Sequence, residues 1–98
     1  MWKLFSKKKS NTIKNCKCPC CGYYTIAQEK GVPFHGDICP VCFWEIDLLG
    51  GLNEPSDANH GLTLLQAKQN YQTFGACEKK SLKFVRDPKP EELTGIDD

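Results

Sequence analysis

No window of this sequence approaches the roughly 20 consecutive apolar residues that cross a bilayer. A secretory signal is missing as well. Such a signal sets an apolar stretch of roughly 7 to 15 residues behind a basic start, whereas Met1-Trp-Lys-Leu-Phe-Ser runs straight into Lys7-Lys8-Lys9. The chain is therefore expected in the cytoplasm, with reduced thiols. No acid precedes Glu29, although Lys3, Lys7, Lys8, Lys9, Lys14 and Lys17 do, and Asp87, Glu91, Glu92, Asp97 and Asp98 crowd the other end. The formal charge is only +1, which supplies no strong field for a polyanion. Beyond its paired cysteines the sequence contains no internal repeat.

Cysteine is what the chain has in quantity, with seven among 98 residues. A short cysteine-rich chain is either a disulfide scaffold or a metal site, and a reducing compartment favours the metal. An odd number of thiols also cannot be consumed by intramolecular disulfides. One domain is expected at this length, and domains this small often recruit a metal to supplement a modest core.

The pattern is Cys18-Pro19-Cys20-Cys21-Gly22, then Cys39-Pro40-Val41-Cys42. It reads as two C-x2-C pairs at the separation of a tetrathiolate Zn²⁺ site. A two-residue gap lets both sulfurs of one tight turn reach a common ion about 2.3 Å away. Pro19 fixes φ at the start of the first turn, and Gly22 can take positive φ just after it. Gly22 thereby selects Cys21 over Cys20 as the partner of Cys18. With four thiolates set against the two charges of zinc, the formal +1 becomes roughly −1.

Phe43 stands where the first turn has glycine, and a bulky residue resists positive φ. Two outcomes follow. Either the second knuckle differs slightly from the first, giving a zinc ribbon, or Pro40 opens a short helix through Trp44, Ile46, Leu48 and Leu49, giving something closer to a treble clef. The ribbon is the preferred reading.

The fold class expected is a small metal-stabilised α+β domain: a zinc-ribbon-like β-hairpin with two knuckles and one C-terminal amphipathic helix. Residues 1–15 read as a flexible basic leader, 16–85 as the zinc-binding domain and 86–98 as an acidic tail. Trp2, Leu4 and Phe5 bury too little area to hold the leader on a membrane. Tyr23-Tyr24-Thr25-Ile26 reads as a strand, and a second strand through Asp37-Ile38 would set the two ligand pairs on the arms of one hairpin. Gly31, Pro33 and Gly36 supply turns between them, and 50–62 reads as a loop. Thr63 with Gln66 forms a capping-box pattern, Leu64, Ala67, Tyr71 and Phe74 share one face, and Gly75 suits a left-handed terminator. A helix over 64–74 follows. Leu82, Phe84 and Val85 alternate as a short strand.

Three cysteines remain. Cys20, inside the first turn, either packs or acts in a second shell or as a redox thiol. Cys16 forms a C-x-C pair with Cys18 that could enter the site or bind a second ion, with an incidental thiol on the leader as the preferred reading, and Cys77 follows the helix as a small, partly buried residue. His35 and His60 are substitute ligands only if a cysteine is displaced. Tyr23, Tyr24, Phe43 and Trp44 are candidate protein-contact residues, since such side chains bury much area at low entropic cost; the competing reading makes them core.

Cys18-Pro19-Cys20-Cys21-Gly22-Tyr23-Tyr24-Thr25 together with Ile38-Cys39-Pro40-Val41-Cys42-Phe43-Trp44-Glu45 resembles the bacterial family of cysteine-rich CPCC proteins. Ala58-Asn59, Thr63-Leu64, Ala67, Asn70-Tyr71 and Phe74-Gly75-Ala76 are similar to its second block, so the likeness covers roughly 18–85. It implies a zinc-ribbon-like domain with Cys18, Cys21, Cys39 and Cys42 as ligands, Cys20 as a family feature, and a partner-binding or immunity role beside a toxin. Ile46, between Glu45 and Asp47, and the loop at 50–57 depart from the pattern.

Three functions are weighed. A protein-binding module leads, with a toxin as one partner class. A nucleic-acid-binding zinc ribbon is second, resting on the lysine-rich leader. A thiol redox sensor at Cys20 is third, without the βαβ context of a thioredoxin-like motif. Four thiolates leave no open position for a catalytic water, so no enzymatic activity is expected.

Overall fold

The computed structural model of the chain describes residues 12–13, 15–94 and 96–97, with side chains from 15 to 94. Most of the basic leader, with Trp2, Leu4, Phe5 and Lys7–Lys9, lies outside the described residues. The elements are β1 (Thr12–Ile13), β2 (Cys16–Lys17), β3 (Tyr24–Ile26), β4 (Gln28–Glu29), β5 (Val32–Pro33), α1 (Leu64–Phe74) and β6 (Ile96–Asp97). The strands form three antiparallel pairs, β1 with β6, β2 with β3 and β4 with β5.

Local chemistry explains the turns. Lys30 and Gly31 both take positive φ, 53° and 85°, as the two-residue loop of a twisted hairpin requires, and the Gly31 amide donates to Gln28 Oε1 at 2.6 Å. The β2–β3 pair encloses the first cysteine turn, and a bridge between Ile38 and Glu45 encloses the second. The two ligand pairs therefore do not share the arms of a single hairpin, as the sequence suggests. Each C-x2-C turn reverses the chain by itself, so each closes its own hairpin.

Helix α1 has the bounds and caps implied by the sequence. Thr63 Oγ1 accepts from the Gln66 amide at 3.0 Å, Gln66 Oε1 accepts from the Thr63 amide at 2.9 Å, and Gly75 terminates the helix at φ 95°. Ala67 is its fully buried residue, and Leu64 and Tyr71 pack partly against the core. A methyl side chain at 67 lets the helix backbone approach closely.

The interior is small. Among the described residues its core is Cys18, Cys20, Ile26, Cys39, Val41, Cys42, Trp44, Ile46, Ala67 and Cys77. Half of these are cysteine, and only four carry larger apolar groups.

The strand expected over Leu82–Val85 is instead part of a 3₁₀ turn, Lys79–Phe84, whose buried residue is Ser81. Leu82 and Phe84 remain 42% and 56% exposed, so their alternation marks no buried sheet face. The chain then straps the second knuckle: the amides of Cys77 and Arg86 donate to the carbonyls of Cys42 and Pro40 at 2.8 and 3.1 Å. Arg86 grips Glu92 through two bonds of 2.9 and 2.8 Å. The Arg86 side chain, and then the Lys89 amide, hold the mostly buried Glu92 carboxyl below its ordinary value of 4.5. A depressed folded pKa means that this stabilisation is complete above the unfolded value and disappears as pH falls through the folded one. The stability difference between wild type and Glu92→Gln, measured by denaturant titration, should be constant above the ordinary value and shrink below it.

Candidate metal centre

The two knuckles share one hydrogen-bond pattern. In the first, the Gly22 amide donates to the Cys18 carbonyl at 2.9 Å and the Cys18 amide to the Tyr23 carbonyl at 2.8 Å. In the second, Phe43 donates to Cys39 at 2.8 Å and Cys39 to Trp44 at 2.9 Å. Gly22 has φ 88° and Phe43 has φ 72°. The expectation that Phe43 resists the left-handed region is thus overturned, and no helix follows Pro40. The strain is offset by packing, because the Phe43 ring stacks on Phe84 with centroids 5.0 Å apart. Phe43→Ala and Phe43→Gly both lose this stack, but alanine keeps the backbone strain. Glycine should be the milder change by about 1 kcal/mol in thermal unfolding.

These turns bring four sulfurs together. Cys18 Sγ lies 3.6 Å from Cys42 Sγ, Cys21 Sγ lies 3.7 Å from Cys39 Sγ, and all four fall within 4.8 Å of one another. A tetrahedron with 2.3 Å metal–sulfur bonds has edges of about 3.8 Å, so the quartet fits a metal ion with little rearrangement. Cys18, Cys39 and Cys42 are wholly buried. Thr25 Oγ1 sits 2.9 Å from Cys39 Sγ and the Val41 amide points to the same sulfur at 3.4 Å. Once Cys39 is a thiolate, the Thr25 hydroxyl must be the donor, a role the sequence did not reveal because Thr25 reads only as a strand residue.

Without an ion the cluster shares protons unequally. The Cys39 thiol is pushed down because Cys18, then Cys21 and Cys42, hydrogen-bond to it. The Cys42 thiol is pushed up, chiefly by its contact with Cys18. A cation must displace the remaining protons, so metal affinity rises with pH and weakens in acid. Over the cluster the Tyr71 phenol is pushed up to about 12, first by burial and then by the neighbouring cysteines.

The other singled-out residues lie elsewhere. Cys20 is buried in the core outside the quartet, next to the Cys42 side chain. Burial pushes Cys77 up to about 12. The Cys16 thiol points to the Gly31 carbonyl at 3.6 Å. His35 Nδ1 accepts from the Leu48 amide at 3.2 Å, and His60 pairs with Glu78 at 3.1 Å. Of the candidate contact aromatics, Trp44 is 4% exposed and belongs to the core; its indole fills space that so few large side chains cannot fill otherwise. Phe43 is covered on one face by Phe84, Tyr23 packs partly against the core, and Tyr24 is half-buried.

Short hairpins, a helix and a mostly buried quartet of thiols define a small α+β domain built around a centre that can hold a metal ion. The chain belongs to the cysteine-rich CPCC family, whose model matches residues 16–92. No curated protein and no solved structure matches it. No helix among the described residues is long and apolar enough to cross a membrane.

Proposed function

We propose that the chain is a zinc-stabilised protein-binding module on a zinc-ribbon-like scaffold, that it works in the cytoplasm, and that it is not an enzyme. The sulfur quartet carries the structural half of this reading. Borderline-soft Zn²⁺ suits four thiolates in a closed tetrahedron. Such a set leaves no position for water and places excess negative charge on the ion, which opposes a bound hydroxide. A reducing compartment keeps the ligands as thiolates.

The binding half rests on the surface. Val32, Phe34, Leu48, Leu49 and Leu52 are all large, apolar and between 47% and 87% exposed, apolar surface that a partner would cover. The contact surface is therefore assigned to these residues and not to Trp44. The resemblance to the family suggests a toxin polypeptide as the companion, which would make the chain an immunity or accessory protein. The nucleic-acid alternative depends on lysines that lie mostly outside the described residues.

Native mass spectrometry of the protein purified from host extract tests the reading. One zinc per chain and a retained polypeptide are expected. A chain that carries no zinc and repeatedly comes through alone refutes it.

A further inference from the structure

From Gly31 to Ala67 the sequence has no lysine or arginine but contains Asp37, Glu45, Asp47, Glu54 and Asp57. Much of the exposed apolar surface falls in the same stretch, including Leu48, Leu49 and Leu52 at 51%, 87% and 47%. Where the two biases meet, two concavities of about 200 and 310 Å³ adjoin across the shared residues Asp47, Gly50 and Glu54 and together are treated as one groove. Trp44, Ile46, Leu48 and Leu64 line one end, and Leu49, Pro55 and Ala58 line the other. Asp47, Glu54 and Asp57 stand along it, with Lys17 as its one lysine or arginine.

The carboxylates are held in place. Asp47 accepts from the Ser56 hydroxyl at 2.7 Å and the Leu49 amide at 3.0 Å, and Glu54 accepts from the Gly51 amide at 3.0 Å. Among the described residues no lysine or arginine forms an ion pair with Asp47, Glu54 or Asp57. Fixed negative charge beside an apolar trough is complementary to an extended chain that directs apolar groups to one side and cations to the other.

We propose that this groove docks an extended segment of a partner protein in which leucine-like side chains alternate with lysine or arginine. The inference rests on the protein-binding reading and names the chemistry of the partner. Apolar side chains enter the trough beside Leu48 and Leu49, and the cations set register along Asp47, Glu54 and Asp57.

The probe is a short fluorescein-labelled peptide alternating lysine and leucine, titrated by anisotropy against the zinc-loaded full chain. Saturable binding is expected, with weaker binding of peptides alternating glutamate with leucine or lysine with serine. Asp47→Asn with Glu54→Gln should weaken it roughly tenfold, the scale of losing two partly screened charge pairs. Asp87→Asn with Glu91→Gln should leave it unchanged. Should the groove variant disturb folding, Leu49→Ser provides a second reading from a fully accessible side chain, and it too should weaken binding. Equal binding by the groove variants, or an equal loss in the Asp87/Glu91 variant, overturns the proposal. So does binding that emerges only when residues 1–11 are deleted, which would make the chain's own start the occupant. A dimer dissolved by Asp47→Asn and Glu54→Gln in sedimentation would overturn it in favour of a second copy. A companion that native mass spectrometry still finds on the double variant refutes the groove while sparing the binding reading. Peptide binding by a chain that never retains a companion does the reverse.

Discussion

Replacing Cys42 with serine should abolish cooperative folding, and a chelator should do the same to the wild-type chain until zinc is restored. Metal binding in small thiolate sites supplies on the order of 10 to 16 kcal/mol of folding free energy, whereas net domain stability is only about 5 to 15 kcal/mol. The core shows why an ion would be decisive here, since five of its ten members are cysteines and only Ile26, Val41, Trp44 and Ile46 bury larger apolar groups. Serine at 42 also leaves three sulfurs that cannot complete a tetrahedron of thiolates around an ion, in a site where Cys18 and Cys39 are wholly buried. Cys20→Ser is the control. Cys20 is 5% exposed and lies outside the quartet, so the variant should lose about 1 to 3 kcal/mol for burying a hydroxyl and keep full metal stoichiometry. Circular dichroism during metal titration, with native mass spectrometry, reads both outcomes. A Cys42→Ser chain that still folds cooperatively without metal would remove the basis of the proposed zinc scaffold.

The sequence disclosed those features whose causes are local. Spacing brought Cys18, Cys21, Cys39 and Cys42 together because a C-x2-C turn is a self-contained geometric unit. The helix was legible for a similar reason: Thr63, Gln66 and Gly75 satisfy the end groups of α1 within a few residues of each other. Where a neighbour distant in the chain decides, the sequence misled. The left-handed φ of Phe43 is tolerated against the Phe84 ring, some forty positions away, and no propensity of residue 43 announces that contact. Trp44 reads equally as interface or interior until the burial around it is known. The segment after Leu82 has strand-like alternation, yet it turns as a 3₁₀ helix and then bonds to the second knuckle through Arg86 and the Pro40 carbonyl.

The same distinction between local and remote causes explains how the second hairpin keeps its shape. Its strands are too short to form a ladder, and the Ile38–Glu45 bridge is isolated. The arms add two bonds of their own, the Ile46 amide to the Asp37 carbonyl at 2.8 Å and the Gly36 amide to the Ile46 carbonyl at 2.9 Å. From outside, Asn59 takes both backbone groups of Glu45.

Asn59 is accordingly the residue whose loss should cost most outside the metal ligands and large core side chains. Its Oδ1 accepts from the Glu45 amide at 2.8 Å, and its Nδ2 donates to the Glu45 carbonyl at 2.9 Å and to Ser56 Oγ at 2.9 Å. The carboxamide thus stands in for an adjacent strand, one residue beyond buried Trp44, and it is itself 5% exposed. Truncation to alanine leaves an amide and a carbonyl short of partners, each worth about 1 to 3 kcal/mol when no water replaces the bond. Asn59→Ala should therefore destabilise by about 2 to 4 kcal/mol. Asn59→Asp keeps the shape and the acceptor but sets a carboxylate oxygen against the Glu45 carbonyl, so it should be at least as damaging above the carboxylate pKa and recover partly below it, where the protonated acid can donate. Denaturant unfolding of both variants in saturating zinc, repeated across pH, separates these effects. An alanine variant as stable as wild type would mean that water satisfies Glu45, and that the second knuckle is held by the cysteine cluster and the strap alone.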